Sequence, residues 1–142
     1  RNRQDISPET LEKYMGEKVW VNPDNKNDFE ISGKLTEEWY YGLDSMSPET
    51  PGEKPDELMF VFNDQTHSGA DMSPVCVPLA DFSEPLIAAG FTAGQRCNRH
   101  GTQDIWYFTR DAIGVRVSLR GKSKPLDTTQ TCVLMVIISV LS

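Results

Sequence analysis

The sequence contains few of the residues, and none of the short motifs, on which common enzymes depend. It has only two histidines and three cysteines among 142 residues, and no G-x-S-x-G elbow, phosphate-binding glycine loop or dinucleotide fingerprint. No two cysteines have C-x-x-C spacing, which argues against a structural zinc site or a redox motif. Asp24–Glu30 is rich in oxygen ligands, but Lys26 interrupts the alternation that a calcium loop requires. We therefore predict no cofactor and no bound metal.

Long apolar runs are also missing. The longest, Cys132–Leu141, has ten residues, whereas a membrane-spanning helix needs about 20. Its β-branched and apolar residues predict a strand at the centre of a sheet, buried on both faces. We expect no membrane span. Length and composition predict one compact domain over residues 1–142.

Positive charge is scarce overall but locally concentrated. Fourteen basic and 21 acidic residues give a net charge of −7, which argues against a protein that binds nucleic acid by neutralising phosphates. We expect a protein partner instead. Residues 96–124 contain only two acidic side chains, Asp104 and Asp111, and seven basic ones: Arg96, Arg99, Arg110, Arg116, Arg120, Lys122 and Lys124. One interpretation is a basic face on an acidic protein, and the other is ordinary solvated strands and turns.

The local patterns predict an α+β fold. Ser7-Pro8-Glu9 begins a helix that ends at Gly16, and Ser83–Gly90 forms a second helix. The fold class that follows is a mainly antiparallel sheet of four to six strands, with two or three short helices packed on one face. Strands are predicted at 18–21, 58–62, 105–109, 115–119 and 132–141, while 36–43 fits either a helix or a strand.

The cysteines and the polar loops favour a secreted protein. The sequence starts at Arg1 instead of Met, and Pro- and Gly-rich loops separate its strands. We predict a Cys97–Cys132 disulfide with Cys76 free and buried; a Cys76–Cys97 bond is the alternative in a secreted protein, and three reduced thiols are the alternative in a cytosolic one.

The leading functional hypothesis is a small, secreted, non-catalytic interaction protein, an effector- or toxin-like module that binds another macromolecule. Its contact residues are predicted to be Arg116 and Arg120, which alternate with Ser118 on one strand face. The aromatic triplet Trp39, Tyr40 and Tyr41 is a second candidate, although at least one of its members belongs in the core.

Two other classes of function stay open. A small ribonuclease-like or other hydrolase could use His67 and His100 as general base and general acid, with Arg99 as a cation near the scissile phosphate. The third hypothesis is a structural subunit of a hetero-oligomer, whose acidic surface meets a basic partner. The sequence predicts no particular oligomeric state.

Overall fold

The protein folds around one large antiparallel sheet with two short α-helices. The computed structural model describes residues 7–16, 18–46, 56–64, 70–97, 104–122 and 130–140. A single 3-10 turn over Ser73–Val75 precedes the second helix. In chain order the elements are α1 (Pro8–Met15), β1 (Trp20–Asn22), β2 (Asn25–Lys34), β3 (Trp39–Met46), β4 (Glu57–Asp64), α2 (Leu79–Ala88), β5 (Thr92–Cys97), β6 (Asp104–Arg110), β7 (Ile113–Gly121) and β8 (Thr131–Val140).

The strand count corrects the predicted fold class. The sheet has eight strands in the order β1-β2-β3-β4-β8-β7-β6-β5, so the prediction of four to six strands was wrong. The strands β2 and β5 were not predicted, and β3 shows that the segment 36–43, which fitted either a helix or a strand, forms a strand from Trp39. In β2 the apolar Phe29 and Ile31 face inward, and the polar residues around Asn25 and Asp28 obscure this strand pattern in the sequence. The β5 strand consists mainly of small and polar residues, which have low strand propensity, and it lies at the edge of the sheet.

The C-terminal strand lies at the centre of the sheet, as its composition predicts. β8 pairs with β4 on one side and with β7 on the other. Adjacent residues on it are buried, since Cys132 and Val133 are 0% and 2% exposed and Val136 and Ile137 are 6% and 7% exposed. Successive strand residues point to opposite faces, so β8 has buried side chains on each of its two faces.

The α1 helix has the ends that its sequence predicts. The Ser7 side chain accepts a hydrogen bond from the Thr10 N–H at 3.1 Å. Gly16, at φ 72°, ends the helix and donates its N–H to the Glu12 carbonyl. A β-carbon would strain that left-handed backbone, which explains the glycine.

The α2 helix begins earlier than predicted, at Leu79 instead of Ser83. Leu79, Phe82 and Leu86 share one helix face and pack against the core, and this packing outweighs the interior Pro85. The predicted end is confirmed: Gly90 has φ 94°, and the Phe91 N–H donates to the Leu86 carbonyl in a Schellman arrangement.

Both helices pack on the same face of the sheet, which we call the covered face. The residues Ile31, Leu43, Phe60, Val136, Val117 and Trp106 pair in register across six adjacent strands and form one row of this face. Leu11 of α1 packs on the half that contains Ile31, and α2 packs on the half that contains Val117. Phe60 contacts both halves and joins them into one core.

No helix in the described ranges is long and apolar enough to cross a membrane.

Candidate interaction surface

The face of the sheet opposite the two helices, which we call the far face, carries an unbroken row of paired residues. Because side chains alternate along each strand, every residue paired in this register points to the same side. The row takes one residue from each of the eight strands, in the order Trp20, Glu30, Asp44, Met59, Ile137, Arg116, Tyr107 and Gly94.

The centre of the far face is apolar. Met59 and Ile137 lie side by side in this row, and Val61 pairs with Met135 in the next row. Ile137 is only 7% exposed, while the other three side chains are partly exposed. We call these four residues the central patch. A solvated sheet face normally carries polar residues, so an apolar centre is the unusual feature of this one.

Opposite charges flank the central patch. Asp44 and Glu30 lie on β3 and β2, on one side of the patch, and the exposed Arg116 lies on β7, on the other. Tyr107 follows Arg116 on β6. The far face is therefore acidic on β2 and β3, apolar on β4 and β8, and basic at Arg116 on β7.

The two carboxyl groups on the acidic side lie close enough for Asp44 to change the pKa of Glu30. Glu30 and Asp44 are direct cross-strand partners, and like charges in that position repel. A side-chain hydrogen bond with Asp44 is the main cause that raises the pKa of Glu30, with smaller contributions from burial and from the charges of Asp44 and Asp28. Folding thus makes Glu30 a weaker acid than an isolated glutamate.

Arg120 does not lie on the exposed surface where the sequence hypothesis placed it. Its residue is 7% exposed, and its guanidinium donates to the Ala70 carbonyl at 2.7 Å and to the Gly121 carbonyl at 2.8 Å. The pairing of β7 with β8 shifts between Ser118 and Leu119, where β8 has one extra residue, Leu134. Burial lowers the pKa of Arg120, whereas the charges of Asp64 and Asp71 oppose that shift.

The Arg120 guanidinium holds a segment over residues 70–78, which we call the strap, against one end of the sheet. The Trp39 indole N–H donates to the Asp71 carbonyl at 3.0 Å, and the Met72 N–H donates to the Lys122 carbonyl at 2.7 Å. Further along, the Val133 N–H donates to the Val77 carbonyl at 2.9 Å. Trp39 and Arg120 therefore have a structural role, because both donate hydrogen bonds to the strap.

The aromatic triplet divides between the core and the far face. Trp39 is 1% exposed. Tyr41 packs on the core, stacks with Phe60 at a ring-centre distance of 6.0 Å, and covers Gly33, where a β-carbon would approach its ring to 2.7 Å. Tyr40 is half-buried, and the strand alternation turns it to the far face. Of the three aromatic residues, only Tyr40 stays a candidate for contact.

The disulfide joins Cys76 to Cys132, so the predicted Cys97–Cys132 pairing was wrong, and so was the alternative Cys76–Cys97. Cys132 directly opposes Arg120 on β7, and the strap carries Cys76 to it. Sequence spacing could not show this approach, because it depends on how the strap crosses the end of the sheet.

The chain matches no family model, no curated protein and no solved structure.

The residues of the hydrolase hypothesis, His67, His100 and Arg99, lie outside the described residues. Within the described ranges, no group of His, Cys, Asp and Glu side chains is arranged to hold a metal ion. The hydrolase therefore stays a prediction without structural support.

The central patch was missed by sequence reasoning. Leu58–Phe62 and Cys132–Leu141 are both predicted strands, but each contains apolar residues at successive positions, so neither reveals which side chains face away from the helices. The cross-strand register settles that question. Arg116 is the one predicted contact residue that this register places beside the patch.

Proposed function

We propose that this chain is a secreted, non-catalytic binding protein that holds a protein partner on the far face of its sheet. The observation that carries the proposal is the central patch between Arg116 and the Asp44–Glu30 pair. Apolar patches with a polar rim mark interaction surfaces, and methionine, arginine and tyrosine are frequent in them.

The charges define the chemistry of the partner. It presents apolar side chains to the central patch, an acidic group to Arg116 and a basic group to Asp44. Such complementarity fixes the orientation of the partner and disfavours others, since like charges in contact are costly. Burial of the central patch provides the favourable free energy.

Secretion is the second part of the proposal. The Cys76–Cys132 bond supports it, because disulfides persist in oxidising compartments and are rare in the cytosol.

Photo-crosslinking tests the far face directly. A benzoylphenylalanine at Met135 probes the central patch, and the same residue at Ile87, which is 50% exposed on α2, is the matched control. Each variant is irradiated in the fluid or extract from which the chain comes. We expect protein adducts from position 135, fewer of them when Arg116→Glu is added, and none from position 87. Equal adducts at both positions, or none at 135, would contradict the proposal.

A further inference from the structure

We propose that the partner on the far face is a second copy of this chain, related by a two-fold axis. The axis lies midway between the two stacked sheets, runs parallel to the strands, and passes over the gap between β4 and β8. This inference rests on the proposed function, because both assign binding to the far face. It goes further by naming the partner.

The strand order gives the sheet the symmetry that such a dimer needs. β4 and β8 lie at the middle, with three strands on either side of them. A two-fold axis between them places β4 over β8 of the second copy and β3 over its β7. Isologous contacts of this kind require each surface to be complementary to itself.

The register makes the far face self-complementary. Asp44, Met59, Ile137 and Arg116 lie in one row, on β3, β4, β8 and β7. The axis maps this row onto itself in reverse order. Met59 then meets Ile137 of the second copy, and Asp44 meets its Arg116. Each contact occurs twice, so the dimer contains two such ion pairs.

The neighbouring row fits the same axis. Val61 lies beside Met135, with Gly42 and Ser118 as the next residues outward. Across the interface Val61 meets Met135 of the second copy, and Gly42 meets its Ser118. The apolar residues are thereby paired with apolar ones.

The dimensions of packed sheets allow these contacts. Strands are about 4.8 Å apart, so Asp44 and Arg116 lie roughly 7 Å from the axis, and packed sheets lie about 10 Å apart. Aligned sheets cross at about 30°, which displaces groups at that radius by roughly 4 Å, within the reach of an arginine side chain. Sheet twist carries the outer strands away from the partner, so the interface is limited to the middle four strands.

Charge reversal on purified protein tests this arrangement. The variants are Asp44→Lys, Arg116→Glu and the double variant, with Glu84→Lys on α2 as the charge-matched control for Asp44→Lys. Self-association is measured by sedimentation velocity over a concentration series. We expect a reversible dimer for the wild type and for the control. For each single variant, the dissociation constant of the dimer should be at least tenfold higher.

The decisive arm mixes the two single variants. The Asp44→Lys chain keeps Arg116 and gains a lysine, while the Arg116→Glu chain keeps Asp44 and gains a glutamate. In the mixed dimer both cross-interface pairs are again opposite in charge, so we expect the equimolar mixture to associate. The double variant should also associate, because its new lysine faces the new glutamate of the second copy. A wild type that stays monomeric, or a mixture that does not associate, would overturn the proposal.

A crosslink in the purified protein covers the case in which a charge variant fails to fold. Benzoylphenylalanine at Met135 is expected to give an adduct of twice the chain mass, joined to the peptide that contains Met59 and Val61. If the purified chain gives no such adduct while position 135 still captures a different protein from the source fluid, the second copy is wrong and the proposed function stands. Absence of both adducts overturns both.

Discussion

The guanidinium carbon of Arg120 lies 5.3 Å from the centre of the Trp39 ring. The two side chains belong to β7 and β3, and each also donates a hydrogen bond to a strap carbonyl, Arg120 to Ala70 and Trp39 to Asp71. The pair therefore joins two strands to the strap. A cation and an aromatic ring that could be taken for contact residues act here as a structural clamp.

We expect Arg120→Lys to lower the free energy of unfolding by about 1–3 kcal/mol. The lysine keeps the charge, but it cannot reproduce the planar guanidinium that donates to Ala70 and Gly121 while it covers Trp39. Urea unfolding measures the change. The matched control is Arg116→Lys, which is exposed on the same strand and should change stability by less than about 0.5 kcal/mol. Equal losses in the two variants would contradict the assignment.

Arg116 and Arg120 also show where sequence reasoning succeeds and where it stops. Local signals were sufficient for the caps at Ser7 and Gly90 and for the central position of β8. Alternation along β7 could not predict that Arg116 is exposed while Arg120 is buried, because the burial of Arg120 depends on the strap, which comes from a distant part of the chain.

The same limit applies to the candidate surface. Met59 and Ile137 become neighbours only when β4 pairs with β8, which lies more than 70 residues further along the chain. The pairing of β4 with β8 is a long-range contact, and no periodicity within either strand encodes its register.

We expect loss of the disulfide to destabilise the protein. The bond closes a loop with a sequence separation of 56 residues, and loops of this length are expected to contribute roughly 2–4 kcal/mol by restricting the unfolded chain. A Cys76→Ala, Cys132→Ala double variant should lose about that amount in urea unfolding. Cys97→Ala should leave the bond in place.

Peptide mapping without reduction checks the pairing itself. The peptide that contains Cys76 should be recovered joined to the peptide that contains Cys132. Recovery of a Cys97–Cys132 peptide would show that the pairing in the structure is wrong.

The Glu30–Asp44 pair predicts a pH effect on stability. A carboxyl group whose pKa is raised by folding binds its proton more tightly in the folded state, so its contribution is full below the ordinary value of 4.5 and is lost as the pH rises through the folded pKa. Glu30→Gln should therefore be more stable than the wild type at pH 7, by roughly 0.2–1 kcal/mol for relief of a like-charged pair.

The measurement is chemical denaturation at pH 4 and pH 7, in dilute solution where the chain is monomeric. The advantage of Glu30→Gln should shrink at pH 4, which lies below the ordinary pKa of 4.5, because the wild-type carboxyl then carries less charge. Glu84→Gln on α2 serves as the control. An advantage that is the same at both pH values would show that charge repulsion is not its cause.

Methionine oxidation provides the most direct test that a second copy covers the central patch. Met59 and Met135 lie on the far face, whereas Met72, which belongs to the strap, is 0% exposed and serves as the internal control. Dilute hydrogen peroxide is applied at low and at high protein concentration, and each sulfoxide is quantified by mass spectrometry. In the wild type, Met59 and Met135 should oxidise more slowly at high concentration, Met72 should stay protected throughout, and Arg116→Glu should abolish the concentration dependence. Oxidation of Met135 that is equally fast at both concentrations in the wild type would contradict burial of the far face by a second copy.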